Sequence, residues 1–189
     1  MILSDRTLSQ SLRRGDLLYI NGTPVYSAHI GPSSIDLTLG DGFVCNPASE
    51  NSDSGTVIDT KPIEATTASP HGHKYRANTT ILAPGEFLLA HTVEEVRLPA
   101  YYAAFVTGRS SIGRLGLQIE NAGFIDPGFR GQITLELVNQ AAKPIVLHAG
   151  IRICQLIVMS LDEPAMFPYK GKYLGQAGPT ISKIEEDYL

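Results

Sequence analysis

The sequence predicts a mainly β protein, on three observations. The 189 residues include 18 Gly and 12 Pro, more turn-forming residues than long helices tolerate. From residue 81 onward, short apolar segments follow one another closely and turn sequences separate them. With 43% hydrophobic and 18% charged residues, the chain can bury the core of one domain but is short for two. We therefore expect a single domain over residues 1–189, folded as an antiparallel sandwich or barrel.

One short helix is expected near the start of the chain, over about residues 5–14. Ser4 or Asp5 can cap its first turn, and two leucines lie one turn apart on one face. Two arginines stand in the last turn, and Gly15 can end the helix.

The first predicted strand covers residues 34–40, where polar and apolar side chains alternate. Residues 47–80 are dominated by Ser, Thr, Asn, Pro and Asp. Such a stretch buries little surface, which predicts a long loop with room for one edge strand near Val57 and Ile58.

Six further strands are predicted from residue 81 onward, because Pro-Gly, Asp-Pro-Gly and Ala-Gly turns separate the apolar segments there. From Pro168 the chain is rich in glycine and hydrogen-bonding side chains but poor in apolar ones. We expect this tail to pack over a ligand or a neighbouring subunit. The six predicted strands are residues 87–91, 95–98, 103–106, 133–138, 144–147 and 151–159.

Composition and charge exclude several classes of protein. No apolar run of about 18 residues is present to span a bilayer, and the first residues do not resemble a secretory signal. We expect a cytoplasmic protein in which Cys45 and Cys154 are reduced thiols. The formal net charge is -4, without a block of Lys and Arg, so we expect no nucleic-acid partner.

The segment 108–116 directly follows a predicted strand and can form an anion cradle. Ser110 and Ser111, at the start of a short helical turn, would present hydroxyls and unpaired backbone N–H groups. Arg109 and Arg114 add positive charge. An ordinary Ser-capped turn with two surface arginines explains the segment equally well, so both interpretations stay open.

Two carboxylates stand in otherwise apolar surroundings. Asp126 begins a Pro-Gly turn, and Glu136 lies in a predicted strand on the face opposite Ile133. The ordinary interpretations are a turn aspartate and a glutamate on a solvated strand face. The alternatives are a functional Asp126 and a Glu136 that lines a pocket.

The patterns of other enzyme classes are missing. No His-x-Glu is followed by Pro-Cys-x-x-Cys, so the zinc-deaminase signature does not occur. Neither the Gly-x-Ser-x-Gly elbow nor the P-loop is found. We therefore expect neither metal catalysis of that kind nor covalent serine catalysis.

Several spaced segments carry a family resemblance. They are Gly108-Arg-Ser-Ser-Ile-Gly-Arg-Leu-Gly-Leu117, Gly123-Phe-Ile-Asp-Pro-Gly-Phe-Arg-Gly131, Ile133-Thr-Leu-Glu-Leu137, Gly150-Ile-Arg-Ile-Cys-Gln-Leu156 and Gly171-Lys-Tyr-Leu-Gly-Gln-Ala-Gly-Pro-Thr180. In this order they resemble the dCTP deaminase branch of the trimeric dUTPase superfamily. The opening Met-Ile-Leu-Ser-Asp and the strand Ser34-Ile-Asp-Leu are similar too, so the resemblance covers nearly the whole chain apart from residues 45–80.

The resemblance implies a distorted, jelly-roll-like β-barrel of the dUTPase type with a short N-terminal helix. It also implies a homotrimer with active sites at subunit interfaces and without zinc. Glu136 would activate the water that attacks C4 of cytosine in dCTP, and would then pass protons to the departing ammonia. Ser110 and Arg114 would orient the water and stabilise the developing charge, and Arg114 would help to keep Glu136 ionised.

The same resemblance implies a triphosphate held with Mg²⁺, the metal being bound through the phosphates. Asp126 would contact the sugar and activate water for attack on the α-phosphate, and Phe129 would pack under the deoxyribose. A C-terminal tail, residues 168–189 of an adjacent subunit, would close over the phosphates. The implied nucleotide-binding residues are Arg109, Ser110, Ser111, Arg114, Asn121, Ala122, Asp126, Phe129, Gln155, Tyr169, Lys172 and Gln176.

Two activities divide this branch, because some members stop at dUTP and others also cleave it to dUMP and pyrophosphate. The segment 120–126, Glu-Asn-Ala-Gly-Phe-Ile-Asp, resembles the bifunctional members and is one residue shorter than the deaminase-only loop. We therefore expect a dUMP-forming enzyme with dCTP and dUTP as ligands and no membrane partner. The alternatives are a monofunctional deaminase releasing dUTP, a dUTPase in which Glu136 is structural, and a nucleotide-binding protein without chemistry.

Overall fold

The computed structural model describes residues 1–45, 72–120 and 123–188. The edge strand predicted near Val57 and Ile58 lies outside these residues. In the described part of the chain, no helix is long and apolar enough to cross a membrane.

Helix α1 spans Asp5–Arg14, as the sequence predicts. Ser4 occupies the N-cap position without a side-chain capping hydrogen bond, and the helix ends at Gly15, whose φ of 73° is left-handed. Leu8 and Leu12 are buried. Because the cap contributes no side-chain hydrogen bond, the apolar face is what holds this helix to the protein.

Strands account for most of the regular secondary structure in the described residues. Helix α2 (Ser110–Gly113) lies between two of them, and a 3₁₀ helix occupies Ile184–Tyr188. In chain order the strands are β1 (Leu18–Ile20), β2 (Thr23–Pro24), β3 (Ile35–Thr38), β4 (Gly42–Cys45), β5 (His73–Arg76), β6 (Thr79–Leu82), β7 (Phe87–Arg97), β8 (Tyr102–Gly108), β9 (Leu117–Glu120), β10 (Phe124–Ile125), β11 (Arg130–Asn139), β12 (Ile145–His148) and β13 (Arg152–Ser160).

These strands form three sheets. The largest follows the order β2-β1-β7-β11-β9, and β4 pairs with both β7 and β5. The second has the order β10-β8-β13-β3, and the third consists of β12 and β6. Every pairing between these strands is antiparallel. The predicted mainly β, antiparallel architecture is therefore confirmed.

The division of the segment after residue 86 into strands 87–91 and 95–98 is wrong, because β7 runs through both. Three residues of β7, beginning with Thr92, stand opposite Ile133 alone. The Thr92 hydroxyl donates to Glu94 O at 2.7 Å and accepts from Ile133 N at 3.0 Å. A bulge at Thr92 thus lies where the prediction separated the two strands, and the strand continues through it.

The loop predicted over residues 47–80 is also partly wrong, because β5 and the first half of β6 lie inside it. β5 pairs with β4, and the ring of Tyr75 packs on Phe43 with centroids 5.5 Å apart. The Tyr75 hydroxyl lies 2.7 Å from Thr80 Oγ1. The pairing with β4 and the contact with Phe43 join segments distant in sequence, so the polar composition of the segment hides them.

A single apolar cluster forms the core between the sheets. Phe43, Leu37, Leu88, Leu135 and Leu137 are among its largest fully buried side chains. The cluster orients β11, because the residues that alternate with its leucines face away from the core.

His91 is a buried histidine at the junction of β7 and β4. Its Nδ1 lies 2.8 Å from Thr92 O, and its Nε2 accepts a hydrogen bond from Gly42 N at 3.1 Å. A carbonyl only accepts and an amide only donates, so the ring is neutral with its proton on Nδ1. A Cβ at Gly40 would collide with the ring. Burial lowers the pKa of His91 below its ordinary value of 6.5.

We expect this histidine to make the fold sensitive to acid. The neutral ring is favoured in the folded state, so its contribution is fully present above pH 6.5 and is lost as the pH falls towards the lower folded pKa. The free energy of unfolding should decrease below pH 6.5 by at most about 1.4 kcal/mol per pH unit for this one proton.

Urea unfolding of the native chain and of His91→Gln at pH 7.5 and 5.5 measures this effect. The variant should be less stable at pH 7.5 and should lose less stability on acidification. An equal loss of stability in both proteins would contradict the assignment to His91.

Candidate active site

Glu136 stands on the polar face of β11. Ile133, Leu135 and Leu137 are buried on one face, and Thr134 and Glu136 are half-buried on the other. The alternation predicted for this strand is present, and Glu136 and Thr134 line a cavity. The sequence left open whether Glu136 lies on a solvated strand face or lines a pocket, and in the structure it lines a pocket.

The cavity has a volume of about 420 Å³. Ends of β4 and β7 form one wall, the chain from 123 to 136 forms the second, and the C-terminal tail (168–189) contributes the third. Such a volume is in the range of small-molecule sites. The cavity therefore lies where the predicted catalytic strand meets the predicted closing segment.

Asp126 reaches the same cavity from a tight turn. The backbone N–H of Phe129 donates to Asp126 O at 3.1 Å, and Gly128 has a φ of 87°. A Cβ at Gly128 would also lie 2.5 Å from Pro168, so the turn and the start of the tail both depend on this glycine. Asp126 itself is exposed and lines the cavity.

The tail lies along β11 of its own chain. Gly178 N donates to the Gln132 side-chain oxygen at 2.6 Å, and Thr180 N donates to Thr134 Oγ1 at 3.1 Å. Gln176 donates from Nε2 to Gln132 O at 2.7 Å. Gln132 also donates from Nε2 to a carbonyl of β7 at 3.1 Å, so one side chain joins the sheet to the tail.

Gly131 allows this close approach. Its φ is 149°, and a Cβ there would lie 2.9 Å from Gln176 O. A larger residue would therefore push the tail away from β11.

Two aromatic residues that line the cavity pack against each other. The rings of Phe129 and Tyr169 have centroids 5.9 Å apart, inclined at 54°. Tyr169 accepts a hydrogen bond from Tyr173 N through its hydroxyl at 3.2 Å. Phe129 is buried, so this wall combines a fixed apolar ring with a hydrogen-bonded one.

Comparison with protein families identifies the relatives of this chain. Residues 2–161 match the family model described as dCTP deaminase-like. The chain belongs to the dCTP deaminase-like family. The resemblance carried by the sequence motifs is thus confirmed at the level of the family.

Relatives of this family member match it over nearly their whole length. The protein named dCTP deaminase, dUMP-forming, of Persephonella marina (strain DSM 14350 / EX-H1) is 43% identical over 190 residues, covering 97% of both chains. The protein of the same name from Aquifex aeolicus (strain VF5) is 44% identical over 187 residues, covering 99% of this chain and 97% of the relative. The one from Hydrogenobaculum sp. (strain Y04AAS1) is 45% identical over 189 residues, covering 100% and 98%.

A solved structure shares the fold of this family member. The 2'-deoxycytidine 5'-triphosphate deaminase from Agrobacterium tumefaciens superposes with a TM-score of 0.60 at 24% identity. The match covers 83% of this chain and 47% of that one, so the chain spans about half of that protein's length. At this identity the match shows the fold alone, and it agrees with the barrel that the resemblance implied.

The structure brings some predicted site residues of this dCTP deaminase-like protein together and leaves others apart. Five of them line the cavity: Asp126, Phe129, Glu136, Tyr169 and Gln176. The tail that contributes the last two belongs to the same chain, whereas the resemblance implied an adjacent subunit. Asn121 and Ala122 lie outside the described residues.

The predicted anion-binding segment lies elsewhere in the same chain. Ser110, Ser111 and Arg114 are exposed around helix α2, and among the described residues none from 109–116 lines the cavity. Arg109 instead forms an ion pair with Asp36, and Gln155 donates to the same carboxylate. The expected placement of Arg114 beside Glu136 is therefore not present within one chain.

Lys172 is also outside the cavity. Its ammonium lies 2.6 Å from the Asp187 carboxylate and near the ring of Tyr173. The Asp187 partner raises the pKa of Lys172, which stays protonated. In this arrangement the cation is held within the tail, where Lys183 also donates to Lys172 O.

Sequence reasoning missed several residues that shape the site. Gln132 and Thr134 hold the tail, and Cys45 lines the cavity. The polar alternation of β11 already signals Gln132 and Thr134, whereas nothing local signals Cys45. Both cysteines are free thiols, as expected, and burial raises the pKa of the Cys154 thiol.

We expect the Gln132 side chain to hold the tail over the cavity. Gln132→Leu leaves the Gly178 N–H without its acceptor, so exchange of the amides at residues 176–180 should accelerate by about tenfold, the value of one hydrogen bond. Hydrogen exchange followed by mass spectrometry measures the change.

Gln140→Leu is the matched control, because Gln140 is exposed just beyond β11. It should leave tail exchange unchanged. Native exchange rates in Gln132→Leu would show that the side-chain contact does not hold the tail.

Proposed function

We propose that this chain deaminates dCTP and cleaves the resulting dUTP, so that dCTP and two waters yield dUMP, ammonia and pyrophosphate. The observation that carries the proposal is the meeting of Glu136 and Asp126 in one cavity beneath the tail. Relatives at 43% to 45% identity that are named dCTP deaminase, dUMP-forming, support both steps. A cytoplasmic location is part of this proposal.

Glu136 suits the first step because it is a half-buried carboxylate on a rigid strand. β11 is paired on both sides, with Leu89 of β7 and Glu120 of β9 opposite Glu136. Glu136 takes a proton from water as the water oxygen bonds to C4 of cytosine. It then donates that proton to the amino group while the second proton of the water passes to N3, the bond from C4 to the amino nitrogen breaks, ammonia leaves and the uracil carbonyl forms.

Asp126 suits the second step because it enters the cavity from a turn and remains accessible to water. It orients a second water and accepts its proton as the oxygen attacks the α-phosphorus of dUTP. The bond from the α-phosphorus to the bridging oxygen breaks, and pyrophosphate leaves with that oxygen. Phe129 packs under the deoxyribose while Tyr169 and Gln176 cover the nucleotide from the tail.

Ser110, Ser111 and Arg114 enter this chemistry from a second copy of the chain. Within one chain these residues do not line the cavity, so a site that contains both them and Glu136 needs a neighbouring copy. This requirement supports the homotrimer. Phe105 and Phe124 are cross-strand partners that are 42% and 55% exposed, and such an apolar surface suits contact between subunits.

Mg²⁺ fits this site as an ion carried by the triphosphate. Within residues 1–45, 72–120 and 123–188, no group of three or more His, Cys, Asp or Glu could hold a metal ion. Magnesium commonly binds through substrate phosphates with few protein ligands. When bound, it would neutralise negative charge on the phosphates, while Arg109 and Ser111 hold the phosphate oxygens and Lys172 adds a cation from the tail.

Glu136→Gln and Asp126→Asn should separate the two steps. Glu136→Gln removes the proton acceptor of the first step, so ammonia release from dCTP should fall by about 10³-fold while dUTP cleavage continues. Asp126→Asn should release ammonia from dCTP but accumulate dUTP. Ion-exchange chromatography of quenched reactions separates dCTP, dUTP, dUMP and pyrophosphate.

Each variant is the control for the other, because both keep the size of the side chain. Unchanged ammonia release by Glu136→Gln would refute its catalytic assignment. Direct dUMP formation by Asp126→Asn would reduce Asp126 to a turn residue.

Mixed trimers test whether the site is shared. Co-expression of Glu136→Gln with Arg114→Ala should restore about a quarter of the native activity, because random assembly into cyclic trimers pairs both intact residues in that fraction of sites. Each variant alone should be inactive.

Light scattering after gel filtration should give the mass of three chains for the native protein and for both variants. A mixture as inactive as its components would show that Glu136 and Arg114 act within the same chain.

A further inference from the structure

Asp36 on β3 lies where side chains from three strands meet. Arg152 donates from Nη1 to Asp36 Oδ2 at 3.0 Å, and the Nε of Arg109 lies 3.3 Å from the same oxygen. Gln155 donates from Nε2 to Asp36 Oδ1 at 3.2 Å, and also to Ser34 Oγ at 3.2 Å. One carboxylate therefore binds two guanidinium groups and an amide.

The backbone brings these residues together through sheet pairing. Gln155 of β13 is the direct partner of Asp36, and Arg152 begins the same strand. Arg109 follows the end of β8, which pairs with the other side of β13, and it donates from Nη1 to Arg152 O at 3.3 Å. The cluster is thus placed by three adjacent strands rather than by flexible surface side chains.

The exposure of the cluster is graded. The Asp36 side chain is 10% exposed, whereas those of Arg109 and Arg152 are 24% and 43% exposed. A nearly buried carboxylate needs paired cations, and these pairs use only part of the five N–H donors of each guanidinium. Two guanidiniums paired with one carboxylate leave the cluster with a net positive charge. The guanidinium N–H donors that these contacts do not use reach solvent.

We infer that Asp36 is a positioning residue that fixes Arg109 and Arg152 as a pair, and that Arg152 is a second cation for the polyphosphate of the substrate. This inference rests on the proposed function. Two planar guanidiniums held side by side offer paired N–H donors to adjacent phosphate groups, which Arg109 alone does not. The family resemblance implies that Arg109 and Gln155 bind the nucleotide, and it assigns no role to Asp36 or Arg152.

A purely structural ion pair would behave differently from a positioning residue. Loss of a structural pair lowers the free energy of unfolding and the affinity for every ligand alike. Loss of a positioning residue lowers only the affinity for ligands that carry the polyphosphate, because the arginine donors stay present but lose their fixed direction.

The test uses Asp36→Asn and Arg152→Gln in the full chain. Asp36→Asn keeps the size of the side chain and removes its charge, and Arg152→Gln leaves Asp36 paired with Arg109. Arg14→Gln is the matched control, because Arg14 forms an exposed ion pair with Asp16 at 2.7 Å, away from this cluster in sequence and contacts. Melting temperatures identify any variant that does not fold.

Calorimetric titration with inorganic tripolyphosphate and with dCMP, together with kcat and KM for dCTP, gives the readout. Both cluster variants should weaken tripolyphosphate binding and raise KM for dCTP by about tenfold, the value of one charge-assisted hydrogen bond. Affinity for dCMP and kcat should change by less than about threefold on the same scale. In the double variant, the fold-loss of tripolyphosphate affinity should be smaller than the product of the two single fold-losses, because Asp36 and Arg152 act as one unit.

Native tripolyphosphate affinity in folded Asp36→Asn and Arg152→Gln would overturn the inference. So would a loss of dCMP affinity equal to the loss for dCTP, since that pattern is structural. If the native chain binds tripolyphosphate through this cluster but does not convert dCTP, the cluster is confirmed as a polyphosphate site and the proposed reaction is refuted.

Discussion

The polar face of β11 is the constraint on which the site depends. Side chains alternate along a strand, so the pairing with β7 that buries Leu135 and Leu137 turns Gln132, Thr134 and Glu136 to the other side together. The first two bind the tail, and the third lines the cavity. A register shift of one residue would exchange the faces, bury the carboxylate and remove both tail contacts.

Within one chain, the negatively charged catalytic groups and the positively charged phosphate-binding groups of the proposed reaction lie at two different places. The carboxylates Asp126 and Glu136 share a cavity, whereas Asp36 gathers the guanidiniums of Arg109 and Arg152 at another place. A polyphosphate would be repelled by the carboxylates and attracted by the guanidiniums, so the division separates the reacting end of a nucleotide from its anchoring end. Under the proposed function, the trimer brings the carboxylate cavity of one copy to the arginine cluster of another.

Local pattern was sufficient for some elements and not for others. Helix α1 and strand β11 follow from apolar spacing, which acts within a few residues. The unbroken course of β7 depends on the Thr92 hydroxyl and its contact with Ile133, 41 residues away, and no local sequence pattern indicates that contact. β5 was missed because its stability comes from pairing with β4 and from the packing of Tyr75 on Phe43.

The sequence alone determined the mainly β class, the terminal helix, the two carboxylates and the family motifs, because each depends on residue type and short spacing. Only the tertiary structure decided that the tail contacts β11 of its own chain, that Arg114 does not line the cavity of Glu136 and that Asp36 joins Arg109 to Arg152. These relations arise from strand pairing between segments far apart in the chain. Such pairing depends on the free energy of the whole core, which no short stretch of residues contains.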